Sequence, residues 1–122
     1  MGQPSQAEID AIKASYPLRS VHLVELVSNS DDPVVFVMTG PSSAEYERFV
    51  EEVQAATTVK DEYQRSRNLR TVVQNAALAQ IRWPSKDDAR ATFEMYPAMS
   101  VALAEQLHNS AGASYEVRAK KL

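Results

Sequence analysis

Residues 34–50 read VVFVMTGPSSAEYERFV. Val34, Val35, Phe36, Val37 and Met38 form an unbroken run of strand-favouring apolar residues. Gly40-Pro41 ends the extended run, because proline fixes its own φ and has no amide hydrogen to donate. Ser42 then stands where a helix N-cap belongs, with Glu45 at the spacing of a capping box. A strand therefore passes into a helix within three residues, and this junction divides the chain into extended pairing before it and helices after it.

Upstream, residues 21–27 (VHLVELV) read as the partner strand. Val21, Leu23 and Val27 share one face with Glu25, and Val24 and Leu26 share the other with His22. Residues 28–33 (SNSDDP) are a turn by composition, so residues 20–39 make a β-hairpin. Neither strand alternates cleanly, and both faces carry aliphatic side chains. A lone two-stranded hairpin is marginal in water, and this one needs cover on each side. One cover is the chain's own helices; the other side, with two free edges, reads as a surface for another chain. Leu23, Val24, Leu26, Val35 and Val37 are the expected contact residues, with the outward face left open. Farther upstream, residues 5–15 predict a short helix with Ser5 and Glu8 as a second capping box and a thin apolar edge of Ile9 and Ile12. Segment 1–19 is expected to be loose or to order against a partner.

Downstream of the junction, residues 43–57 predict an amphipathic helix, with Tyr46, Phe49, Val50, Val53 and Ala56 on one stripe. A charged stretch over 60–70 leads into a second helix built on Leu69, Val72, Val73, Ala76, Ala77, Leu78 and Ile81, whose end is expected at the centre of the core. Trp83-Pro84 breaks that helix. Ser85 and Asp88 signal the next N-terminus, and a short helix over 86–95 presents Ala89, Thr92 and Phe93. Tyr96-Pro97 breaks again, with Pro97 suited to the first turn of a helix over 98–109 carrying Met99, Ala102, Leu103 and Leu107. Ala111-Gly112 is the stop signal, and a basic tail occupies 113–122. Phe49, Val53, Val73, Ile81, Trp83, Phe93, Tyr96, Leu103 and Leu107 are the expected packing anchors, with Trp83 and Tyr96 sealing the ends of the short helix. The reading is an α+β fold: an N-terminal β-hairpin followed by a bundle of about four helices, mostly α. One domain spans 1–122, with its helical core over 42–112.

The 122 residues, 44% of them hydrophobic, suit one modest core. A net charge of −3 and a pI near 5.4 supply no long-range attraction for nucleic acid. The chain has no cysteine, so neither a disulfide framework nor a thiolate site is available. No apolar run reaches the about 18 residues of a membrane span, and MGQPSQ lacks the regions of a signal peptide; a soluble protein of a reducing cytoplasm is expected.

Signals for chemistry are sparse. Glu105 and His108 have the E-x-x-H spacing of di-iron bundles, but those need a second such pair and two further glutamates; a solvated helix face is the plainer reading. Asp31-Asp32, Glu51-Glu52 and Asp87-Asp88 are adjacent pairs whose side chains diverge, and Asp87 and Asp88 suit a helix N-terminus. Lys60, Arg65, Arg67 and Arg70 spread around a helix and are diluted by Asp61 and Glu62, which reads as a solvated face. With three glycines there is no nucleophile elbow and no phosphate-cradling loop. The expectation is a non-enzyme without catalytic, cofactor or metal residues.

The order of these signals carries a resemblance. A hairpin runs into P-S-S-A-E-Y-E-R-F from Pro41, a helix ends in Ile81-Arg82-Trp83-Pro84, and Phe93 to Gly112 reads FEMYPAMSVALAEQLHNSAG. The chain resembles the small tail assembly chaperones of long-tailed bacteriophages across about residues 21–112. The resemblance implies a non-catalytic protein of the infected host cell's cytoplasm. Such a protein coats the aggregation-prone apolar helices of the tape measure protein, recruits tail tube subunits and forms homo-oligomers, without nucleic acid or membrane. A structural tail or head–tail connector subunit, and a small protein-binding adaptor, are the alternatives.

Overall fold

The computed structural model describes residues 2–27, 32–113 and 118–121. In chain order the elements are α1 (Gln6–Ser15), β1 (Val21–Leu26), β2 (Val34–Thr39), α2 (Ser43–Thr57), α3 (Glu62–Gln80), β3 (Ile81–Trp83), α4 (Lys86–Met95) and α5 (Met99–His108), closed by a π-helical turn, Asn109–Ala113. This is the expected α+β architecture, a hairpin followed by four helices, with one helix before it and one strand added. Most of the 28–33 turn and half of the 113–122 tail lie outside the described residues.

The local signals act where they stand. Ser42 accepts the Glu45 amide while the Glu45 carboxylate accepts the Ser42 amide. Ser5 and Glu8 make the same reciprocal pair at the start of α1. Each box satisfies amide donors that a first helical turn leaves orphaned. Ser85 caps α4 through the Asp88 amide. Gly112 ends the helical region at φ 101°, a left-handed conformation that disfavours any residue with a Cβ.

β1 and β2 pair antiparallel, with Val21 opposite Thr39 and Leu26 opposite Val34. The difference from expectation begins at Ile81. The chain leaves α3 at Gln80, and Ile81, Arg82 and Trp83 run antiparallel to β2, placing β2 in the centre of a three-stranded sheet. Ile81 is therefore a strand residue, opposite Met38, and Trp83 stands opposite Val37, with an irregularity of register between them. A β-branched residue and an aromatic before proline suit a strand better than a helix end.

The central strand β2 is buried on both faces, and this corrects the expected role of Val35 and Val37. Phe36 and Met38 face the helices in a cluster with Ala77, Leu78, Ile81, Ala89, Phe93 and Leu103; Val24, Leu26, Val34 and Met99 pack against it. On the opposite face Val35 and Val37 are each only 1% exposed, so neither is available to a partner. α1 is held against this side of the molecule. The Trp83 indole N–H donates to Glu8 at 3.0 Å, and the Arg82 guanidinium lies 4.2 Å from the centroid of the Tyr16 ring. Ile9, Ile12 and Tyr16 are the half-buried residues along one side of α1. The N-terminal segment forms a helix that buries none of its own residues and touches the rest of the chain through Glu8 and, at its C-cap, Tyr16.

Among the other anchors, Ile81, Phe93, Leu103 and Leu107 are buried. Phe49, Val53 and Val73 are only half-buried; Ala56 is the one buried residue of α2, and α3 enters the core through Ala77 and Leu78 near its end rather than through Val73. Trp83 is half-buried in β3 rather than sealing a helix end. Tyr96, the C-cap residue of α4, is 39% exposed.

Candidate protein-binding groove

Two features survey as sites: a polar cluster at the strand-to-helix junction and an apolar groove at the opposite end of the hairpin. The polar cluster is built on Gln80, the last residue of α3, which is 2% exposed. Its carbonyl oxygen accepts the Thr39 hydroxyl at 3.0 Å and the Arg19 guanidinium at 3.4 Å, while its amide donates to Glu45 at 3.1 Å. Arg19 also pairs with Glu45 at 2.8 Å, and the Arg82 guanidinium donates to the Thr39 hydroxyl at 3.1 Å. Burial on its own would raise the Glu45 carboxyl; the hydrogen bonds from Ser42 and Gln80 and the charge of Arg19 outweigh it and hold the group below its ordinary value of 4.5. Every polar group in this cluster finds a partner, and the partners are all the chain's own. It fastens α2, β2, α3 and the segment before β1 to one another.

Lys86 has a similar structural task. Its ammonium donates to the Leu78 carbonyl and to the Ile81 carbonyl, the latter at 3.1 Å, covering the acceptors that the end of α3 leaves free. Burial, then repulsion from Arg82 and Arg90, lowers its pKa from 10.5, with Glu45 opposing. The E-x-x-H pair does not assemble a metal centre. His108 faces the Tyr46 hydroxyl at 2.9 Å, and the described residues contain no cluster of three or more His, Asp or Glu able to hold a metal ion.

The apolar groove has about 770 Å³ of volume and runs between the turn end of the hairpin and the α4–α5 corner. Leu26, Val27 and Val34 form one wall; Met95, Tyr96 and Met99 form the other, with Glu25 and Asp32 on the rim. Val27 and Met95 stand 72% and 71% exposed. Large apolar side chains at that exposure, gathered on two walls of one groove, mark an interaction surface more strongly than the same residues scattered singly. Tyr96-Pro97 is what shapes it: the chain leaves α4 at Tyr96 and turns into α5, so Met95 and Met99 fall on the two sides of one corner.

Of the five expected contact residues, the structure brings only Leu26 into this groove. Val24 packs toward the helical core, Val35 and Val37 are sealed, and Leu23 is 53% exposed on the sheet's outer strand. Met95, Met99 and Val27 were not singled out as contacts from sequence. Their signal was the paired methionines around Tyr96-Pro97, which on a helical stripe reads equally well as core.

A family model described as a domain of unknown function, DUF6848, matches residues 11–120. No curated protein matches the chain. Among solved structures, the uncharacterised protein rbstp2171 from Bacillus stearothermophilus is similar at 20% identity with a TM-score of 0.64. That similarity covers 91% of this chain and 98% of the other, and it bears on the fold.

Proposed function

We propose that this chain, which belongs to the DUF6848 family, is a non-catalytic assembly chaperone of bacteriophage tails that shields apolar helices of a tape measure protein and recruits tail tube subunits in the host cytoplasm. The observation that carries the reading is the open groove bounded by Leu26, Val27, Met95, Tyr96 and Met99. A chaperone must cover many different apolar stripes, and methionine suits that task because its unbranched, polarizable side chain repacks against varied shapes. An amphipathic helix laid in a groove is a recurrent mode of such recognition. The acidic rim formed by Glu25 and Asp32 adds selectivity for helices whose apolar stripe is flanked by lysine or arginine.

The test is co-expression with a long helical tape measure protein of a long-tailed phage. The wild-type chain is expected to keep that protein in the soluble fraction, and Met95→Asp or Val27→Asp to lose this effect while retaining the wild-type circular dichroism spectrum. A tape measure protein that stays insoluble with the wild-type chain, or stays soluble with both variants, refutes the reading. Stoichiometric presence in purified virions, measured by mass spectrometry, would instead assign a structural tail subunit.

A further inference from the structure

The two outer edges of the sheet differ. β3 is three residues long, pairs irregularly with β2 and runs into Pro84, all features that blunt an edge. β1 is six residues long, contains no proline or lysine, and among the described residues pairs with β2 alone. One bond sets the phase of its backbone. The Gly40 amide donates to the Ser20 carbonyl at 2.8 Å, and one step beyond Val21 opposite Thr39 is Ser20 opposite Gly40. Hydrogen-bonded and non-hydrogen-bonded pairs alternate along an antiparallel ladder. His22, Val24 and Leu26 therefore turn their amides and carbonyls toward β2, whereas Val21, Leu23 and Glu25 turn theirs outward.

We propose that a second copy of this chain occupies this edge, with the two β1 strands paired antiparallel about a two-fold axis at Leu23. In that register Leu23 of one copy stands opposite Leu23 of the other, Val21 stands opposite Glu25, and about six N–H···O=C bonds form, two for each outward pair. Charge selects the register. Glu25 is the one charged residue of the outward phase. An axis through Glu25 would set the two carboxylates face to face, and an axis through Val24 would leave them diagonal neighbours about 7–8 Å apart. The axis at Leu23 separates them by about 14 Å and pairs the strand along its whole length. It also covers the exposed Leu23 side chain with its own equivalent. The outcome is one continuous six-stranded sheet across the dimer, an isologous assembly that closes on itself.

Sedimentation velocity over a wide concentration range tests this directly. The wild-type chain is expected to show a monomer–dimer equilibrium with a Kd on the order of micromolar, in keeping with an interface of modest area. Leu23→Pro removes an outward amide and no bond to β2, a place where strands tolerate proline; it should raise the Kd at least about tenfold with little change in melting temperature. If that variant fails to fold, Leu23→Lys places a charge on the dyad and serves the same purpose. The register has its own readout, because the chain has no cysteine. Leu23→Cys should form a disulfide dimer under mild oxidation, since residues of a hydrogen-bonded pair stand about 5.5 Å apart at Cα, within disulfide reach. Glu25→Cys should not. A wild-type chain that stays monomeric throughout, a folded Leu23 variant that dimerises as well as wild type, or equal cross-linking at both positions overturns the proposal. The dimer does not depend on the groove: Met95→Asp should leave sedimentation unchanged, so the two proposals fail separately.

Discussion

Replacing Gln80 by leucine removes the centre of the junction's polar cluster while preserving approximate volume. In the folded protein Gln80 accepts from Thr39 and Arg19 and donates to Glu45, at 2% exposure. Arg19 keeps its ion pair with Glu45, so its loss is small. The Thr39 hydroxyl, 1% exposed, loses its acceptor and has no route to water. Leaving such a donor unsatisfied costs about 1–3 kcal/mol, and the hydrogen bond to the charged Glu45 contributes about 1.5–3 kcal/mol. The leucine recovers part of this through burial, so a net destabilisation of about 2–4 kcal/mol is expected. With a urea m-value of about 1–3 kcal/mol/M, the unfolding midpoint should fall by about 1–2 M without a change in slope. The double variant Thr39→Val/Gln80→Leu removes both sides of the bond and should be less destabilised than the sum of the single variants by about 1 kcal/mol or more. A Gln80→Leu midpoint within about 0.3 M of wild type, or strictly additive single and double variants, would refute the view that this cluster fastens α2, β2 and α3 together.

Acid stability offers a second test. The Glu45 carboxyl is held below 4.5 in the folded protein, so its contribution is fully present above 4.5 and is lost as pH falls through the lower folded value. Unfolding followed by urea between pH 6 and the acid limit should show that loss below 4.5, and Glu45→Gln should flatten it; an unchanged acid slope in the variant would remove Glu45 as its source. A third test contrasts the two strands of the hairpin at one cross-strand pair, Leu23 opposite Val37. Val37→Lys buries an ammonium at a site that is 1% exposed and should cost more than about 3 kcal/mol, abolishing the native circular dichroism spectrum or sharply lowering the melting temperature. Leu23→Lys, at an exposed position of the adjacent strand, should stay within about 0.5 kcal/mol of wild type, and equal damage from both would contradict the burial described for β2.

What could be read from the residues alone was set by neighbours within one helical turn. Ser5 with Glu8, Ser42 with Glu45 and Ser85 with Asp88 each start a helix because the capping partners are three residues apart and meet whatever the rest of the chain does. Gly112 ends the last helical segment for an equally local reason. The same residues carried no trace of their long-range duties. Glu45 closes a capping box by sequence, and only the fold brings Gln80 and Arg19 to its other side. The segment Ile81-Arg82-Trp83 is too short for a period to declare itself, and it becomes a strand because β2 offers it an unpaired edge.

The strand-to-helix junction at residues 34–50, the α+β class and the order of helices were determined by the sequence, since periodicity and capping are local properties of the chain. Which side of β2 faced solvent was not. The apolar run Val34, Val35, Phe36, Val37 and Met38 is compatible with one covered face and one offered to a partner, or with two covered faces, because alternation is absent in either case. Tertiary structure decided for two covered faces: Phe36 and Met38 are buried against the helices and Val35 and Val37 are buried on the other side, while β3 pairs with the remaining edge of β2. The exposed apolar surface thereby moved from the middle of the hairpin to its outer strand and to the corner formed by Met95, Tyr96 and Met99, positions that no local pattern distinguishes from core.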